Sequence, residues 1–307
     1  MTTIVFEKIL MMFMILALGV VCLKSGIFNA VVIRQLSIFL LQVINPIVIF
    51  VSYQRTFTRD LFDNLLLSFS LSVVAFLLQI AIAYMGVSKK SKNVAVERLS
   101  VIYSNCGFFG IPLAGALFGS EGVFYLTGYL TVFYLFFWTH GIILMAGSTN
   151  RKDVLKNLFS PAIIGVVLGL TCFLLKIRLP AIVVESLDTV GSMNTALAML
   201  VAGATLGQSN VIKSLKNVRI YLISLLKLLV VPGTVALVLS FAPASAKIVL
   251  VIIVAAATPV GASNTMLAIK YNKDSAYASQ LFVSSTLFAA LTIPLVVAFA
   301  NLLGVVP

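Results

Sequence analysis

A chain of 307 residues that is 61% hydrophobic and only 10% charged, with a mean hydropathy of +1.14, cannot cover its apolar surface in water. Soluble domains run near 45–50% apolar and about 25% charged, so a soluble fold is excluded and one membrane-embedded unit is expected. The net charge of +12 does not mark a nucleic-acid partner, because the Lys and Arg residues fall in short runs between apolar stretches, where they report topology.

In chain order, the first apolar stretch covers 4–22. The N-terminus, Met1 to Lys8, lacks a basic leader and no small-residue cleavage site closes the stretch, so a retained helix is expected rather than a cleaved signal. Stretches at 33–53, 64–87, 98–118 and 122–145 complete a first half, 1–150. Stretches at 157–177, 187–207, 217–240, 246–269 and 275–303 form a second half, 151–307. Each is near the roughly 20 apolar residues that span a bilayer core. None alternates in polarity as the strands of a membrane barrel do. The expected fold is an all-α membrane protein of ten transmembrane helices.

Fourteen of the 21 Lys and Arg residues fall in the odd-numbered loops, among them Lys89, Lys90, Lys92, Arg98, Arg151, Lys152, Lys156, Lys213, Lys216 and Arg219. The positive-inside rule puts those loops in the cytoplasm and both termini outside an inner (plasma) membrane. Asn45 and Pro112 recur as Asn194 and Pro259, and the basic linker at Lys24 recurs at Lys176, each after about 150 residues. Five helices per half is an odd number, so the second copy enters from the opposite side, giving a 5+5 inverted repeat.

Two stretches break helix rules inside a span: Ser104-Asn105-Cys106-Gly107-Phe108-Phe109-Gly110-Ile111-Pro112-Leu113 and Ala257-Thr258-Pro259-Val260-Gly261-Ala262-Ser263-Asn264-Thr265. Proline removes a donor and clashes with the carbonyl four residues back, and glycine relaxes the chain. Unwound backbone is tolerated in lipid only where it is buried in protein or lines a cavity. A half-helix that restarts there offers free N–H groups to an anion. An anion is therefore expected near the amides of Gly110 to Leu113 and Val260 to Ala262. The single-kink alternative, in which each proline only bends its helix, stays open at this point.

These two stretches resemble the fourth- and ninth-helix signatures of the auxin efflux carrier family, whose bacterial members are often labelled malate or malonate permeases. Asn45-Pro46 and the segment from Gly203 to Gly207 are similar to that family as well. The resemblance covers the whole chain. It implies a scaffold and a transport domain, broken helices four and nine that cross, and elevator-type alternating access. It also implies a carboxylate beside Pro112 and Pro259, with Asn105 and Asn264 as polar ligands. Two features depart from the pattern: the mid-chain loop is short, from about Ala146 to Lys156, and Cys106 stands where a hydroxyl residue is expected.

The expected substrate site is thus Asn105, Gly110, Ile111, Pro112, Thr258, Pro259, Gly261, Ser263 and Asn264, joined by Asn45 from the second stretch. Asn194 and Lys227 are the candidates for ion coupling. Lys227 lies two turns from Arg219, so its ammonium either snorkels to the cytoplasmic face or serves as a charge partner within the span. His140, beside Trp138, reads as packing before proton relay. All acidic residues fall at helix ends or in loops, leaving sodium coupling, proton coupling and uncoupled diffusion open.

An intramembrane enzyme is disfavoured, since one histidine cannot build a metal-hydrolysis motif and no span pairs aspartates. Cys22, Cys106 and Cys172 read as small packing residues; no cofactor, metal or catalytic residue is expected. The expected function is a secondary transporter of small organic anions, dicarboxylates or auxin-like acids, with an anion channel or uncoupled facilitator as the alternative. A homodimer in the lipid bilayer is the assembly entertained.

Overall fold

The computed structural model describes residues 2–147, 160–208 and 217–305, and among these every regular element is a helix. The basic residues Arg151, Lys152, Lys156, Lys213 and Lys216 lie outside the described residues. Among the described residues seven helices are long and apolar enough to cross a bilayer, and two shorter apolar helices, Pro161–Leu174 and Ala246–Ala257, accompany them.

In chain order the elements are α1 (Thr2–Lys24), α2 (Ala30–Ser52), α3 (Arg59–Gly86), α4 (Val94–Ile102), α5 (Cys106–Ala146), α6 (Pro161–Leu174), α7 (Ala181–Gly207), α8 (Val218–Leu239), α9 (Ala246–Ala257), α10 (Ala262–Lys270) and α11 (Ser275–Leu302). Helix starts are capped as the sequence allows: Asn29, Thr58 and Asp274 side chains accept from Val32, Leu61 and Tyr277 N–H at 2.9, 3.2 and 2.9 Å. The separate fourth and fifth stretches of the sequence run on as the 41-residue α5, bent at Gly119. Gly119 has φ +61°, a conformation open to glycine, and the chain reverses there without a loop.

Among the described residues four π-helical turns occur, and three of them, at 40–44, 106–110 and 226–230, are each followed two residues later by a proline, Pro46, Pro112 and Pro232; the fourth, at 137–141, is not. The proline has no N–H to offer the carbonyl four residues back and clashes with it. The ladder relieves both by bonding one residue further away, which is a π-bulge. Pro112 therefore re-registers its helix rather than interrupting it.

Packing divides the helices into two groups. In one, α1 runs along the second part of α7 so closely that a Cβ on Gly203 would sit 1.9 Å from Leu16 O, and one on Gly19 2.2 Å from Leu200 O. The end of α2 packs on α6, where Gly165 admits the Pro46 backbone. In the other group α9 is central, packed by α3, α5, α8 and α11, with every residue from Ile248 to Ala257 buried. The two groups meet along the end of α2, the start of α5 and the middle of α7.

Candidate functional site

The fourth and ninth stretches are both interrupted, and the interruptions meet. After α4, Tyr103 turns extended (φ −99°, ψ 111°) and Asn105 leaves the helical region before α5 starts at Cys106. After α9, Thr258 to Gly261 are extended before α10 starts at Ala262. Ser104 and Val260 pair antiparallel: Asn105 N–H donates to Pro259 O at 2.7 Å and Gly261 N–H to Tyr103 O at 3.2 Å. Asn264 Nδ2 donates to Leu99 O and Tyr103 O, each at 3.3 Å, and covers the carbonyl end of α4. Thr258 Oγ1 returns to Ala255 O at 2.8 Å, and Ser285 Oγ takes the Val260 N–H at 3.0 Å. A Cβ on Gly261 would be 3.2 Å from Ser104 O, so the two backbones approach this closely because position 261 carries no side chain.

Beside the crossing, a cavity of ≈ 270 Å³ lies between the two helix groups. Its walls are Val48, Val51 and Ser52 of α2, Ile111, Pro112, Gly115 and Val123 of α5, and Gly191, Ser192, Asn194 and Thr195 of α7. Gly119, Ser120 and Asp188 stand at the same cavity. Asn194 Nδ2 donates to Asn45 Oδ1 at 2.6 Å, joining two buried residues 149 positions apart in the chain. Asn45 Nδ2 faces Gly107, where a Cβ would lie 3.5 Å from it. Asn45 Nδ2, Asn105 Nδ2, Asn194 Oδ1 and Asn264 Oδ1 are buried without a protein partner. With Asn105 at the cap, Cys106, Gly107 and Phe108 are the first three residues of α5, whose N–H groups have no acceptor within the helix. Phe109 N–H makes the first bond of that helix, to Asn105 O at 2.9 Å.

The sequence candidates therefore fall into two places. Ile111, Pro112 and Asn194 line the cavity, Asn45 joins it through Asn194, and Asn105 stands at the N-cap position of the restarting helix with no side-chain bond to it. Thr258, Pro259, Gly261 and Asn264 hold the crossing together and form no part of the cavity wall, while Ser263 is half-buried in the first turn of α10. The amides expected to be free are largely committed. Ile111 N–H bonds Cys106 O inside α5, Pro112 has no N–H, Val260 gives its own to Ser285 and Gly261 to Tyr103. Gly110 lies within the π turn, against Cys106. The donors with no acceptor inside their own helix lie four to five residues earlier, at Cys106, Gly107 and Phe108. Gly107, Ser104 and Ser285 were not singled out from the sequence. A proline two residues beyond a π turn is the signal that would have moved the restart from Pro112 back to Asn105.

At the far end of α4, Glu97 is 1% exposed and receives Arg219 Nε at 2.7 Å, Arg219 Nη2 at 2.9 Å and Tyr277 OH at 3.2 Å. Burial pushes its carboxyl upward, but the bonds from Arg219 outweigh that and hold it below the ordinary range. This cluster ties α4, α8 and α11 at one end of the second group.

A family model described as membrane transport protein matches residues 4–297, from α1 into α11. The chain belongs to the membrane transport protein family, that of the auxin efflux carriers. No individually curated protein matches it. This family member is accordingly a multi-pass membrane transport protein, and its paired interruptions are the stretches whose resemblance to the family was already legible. In this membrane transport protein Lys227 does not snorkel. It is 0% exposed, and its Nζ donates to Ser104 Oγ at 2.5 Å and Ala256 O at 3.2 Å.

Proposed function

We propose that the protein is an alternating-access carrier for a small organic anion, in which the group around α9 slides against the group around α1 and α7. The observation that carries this is the placement of the ≈ 270 Å³ cavity between those two groups, walled by Ile111 and Pro112 in the stretch that follows the restart of an interrupted helix at Cys106. A carboxylate there would accept from Asn45 Nδ2 and Asn105 Nδ2 and meet the positive end of the half-helix at Cys106 to Phe108. Corresponding interruptions at a repeat interface are the usual place for a carrier's substrate.

Counting α5 as two spans at Gly119, and α4 and α9 each with the half-helix that continues it, gives ten helices in a 5+5 inverted repeat. With the odd-numbered loops cytoplasmic, both termini are outside the inner membrane and the cavity lies toward the outer face, near Ser52, Ser120 and Asp188. The volume lies just under the roughly 300–1,000 Å³ of drug-sized sites, which favours a malate-sized dicarboxylate over an indole-type acid.

The test is counterflow of labelled malate, malonate and indole acids in proteoliposomes. Saturable exchange is expected, with Asn105→Ala and Asn194→Ala each lowering uptake efficiency about tenfold, some 1.4 kcal/mol. Wild-type rates in both variants, or no acid moving at all, would remove the site. Ohmic single-channel currents would favour the channel.

A further inference from the structure

Lys227 is placed where the carbonyl end of α9 meets the turn that follows α4. Ala256 O belongs to the last turn of α9, and Ser104 lies two residues beyond the end of α4. Lys227 Nζ bonds both, and Ser104 Oγ in turn lies 3.4 Å from Ala256 O, closing a three-membered polar cluster across the two interruptions. Both helices end at the crossing with the negative end of a dipole; the carbonyls of α4 are served by Asn264 and Gly261, and Ala256 O of α9 by Lys227. The restarting halves, by contrast, begin with free N–H groups, so the crossing has a negative and a positive side. No ion pair among the described residues involves Lys227; those present are made by Arg59, Arg219 and Lys247. The π turn before Pro232 holds this lysine, and the widened turn packs against both α4 and α9. A charge so placed is costly unless the surrounding groups need it.

In carriers with broken helices, unwound carbonyls and half-helix C-terminal ends are the groups that coordinate a coupling cation. We propose that the Lys227 ammonium is a resident cation occupying that position, so that this carrier moves its anion with no sodium ion at the crossing. Sodium and an ammonium group answer the same need, a compact positive charge among oxygen acceptors. With the ammonium tethered, its charge travels with the protein in both directions of the cycle and adds no ion to the stoichiometry.

The experiment uses purified full-length protein, with a transport arm that rests on the carrier function proposed above and a stability arm that does not. Wild-type counterflow is expected to be unchanged when sodium is replaced by choline, whereas Lys227→Met, similar in length but uncharged, should fall at least about tenfold. For Lys227→Ala, which leaves oxygen acceptors around an open volume, the thermal midpoint should rise with sodium or methylammonium chloride relative to choline chloride, as binding to the folded state requires. The wild-type midpoint should show no such difference. Sodium-driven uptake by the wild type, full activity of Lys227→Met, or a cation-blind Lys227→Ala would each overturn the proposal. If Lys227→Ala cannot be purified, the wild-type comparison of sodium with choline still decides. Should the wild type carry no anion while Lys227→Ala responds to sodium, the carrier function fails and the resident cation stands.

Discussion

The two interrupted helices arrive at one crossing by different means. The second is broken by its own sequence: Pro259 sits inside the interruption, and Thr258 and Gly261 flank it. The helix leading to it, α9, is apolar and buried from Ile248 to Ala257. The first contains no proline at its break, since Tyr103, Ser104 and Asn105 precede Pro112 by seven residues or more. It is broken by its surroundings. Tyr103 OH donates to Phe136 O at 2.9 Å, its ring packs among Phe76, Phe133 and Phe137, and its carbonyl accepts from Gly261 and Asn264. Its lead-in helix carries a buried charge, Glu97, where α9 carries a half-exposed one, Lys247. One interruption is thus local and the other tertiary, and the difference should appear in what each can lose.

The largest effect is expected at the charged anchor of the first. Arg219→Ala leaves Glu97 buried without its partner, which should cost about 3 kcal/mol, the low end for a broken buried pair because Arg219 itself is 36% exposed. The double variant with Glu97→Ala should recover part of that loss. The pH dependence has a fixed sign. The folded carboxyl of Glu97 titrates below its unfolded value, so the stabilisation is complete above about pH 4.3 and disappears as pH falls through the lower folded value. Thermal midpoints in detergent between pH 3 and 7 would show an acid-side loss in the wild type that Glu97→Gln lacks. An identical acid slope in both would remove the anchor from the account.

The next effect belongs to the second interruption. Ser285 supports its backbone from outside the crossing, accepting the Val260 N–H at 3.0 Å in a fully buried place. Ser285→Ala should destabilise by about 1–3 kcal/mol, the cost of a buried donor left without an acceptor. Because Pro259 would still forbid a continuous helix, the fold around the break should persist, and helicity by circular dichroism should be unchanged. A gain of helix in that variant would show that the second interruption, too, depends on its neighbours.

The same distinction governs what could be read from the chain. Spans and class were legible because apolar length is a property of each segment alone. The second interruption was legible for the same reason, as Pro259 and Gly261 act on their own backbone. The first was bracketed by the stretch Ser104 to Leu113, but its free amides were expected near Pro112, because the residues that turn the chain at Tyr103 come from α3, α5, α10 and the second interruption, and no local pattern announces them. Pro112 is a real signal read one step short: it widens the ladder at 106–110 and leaves the restart at Asn105. Asn45 and Asn194 were found as matching landmarks, and their direct bond follows only from the packing of α2 on α7. Lys227 was visible as a misplaced charge, but Ser104 and the Ala256 carbonyl that receive it lie 123 and 29 positions away.

The smallest effect sharpens the comparison most. Lys247 pairs with Glu121 at 2.7 Å in the first turn of α9, and both side chains are about a third exposed, 34% and 33%. An ion pair so open to solvent gains little beyond what water already offers, so Lys247→Ala should cost only about 0.2–1 kcal/mol. That small loss should fade further between low and high salt, since the screening length is about 8 Å at 0.15 M. The Arg219 pair, with its carboxylate buried, should keep most of its effect in the same salt series. If Lys247→Ala proved as damaging as Arg219→Ala, and as indifferent to salt, α9 would not be held by apolar burial alone. The contrast between a locally encoded interruption and a tertiary one would then need another basis.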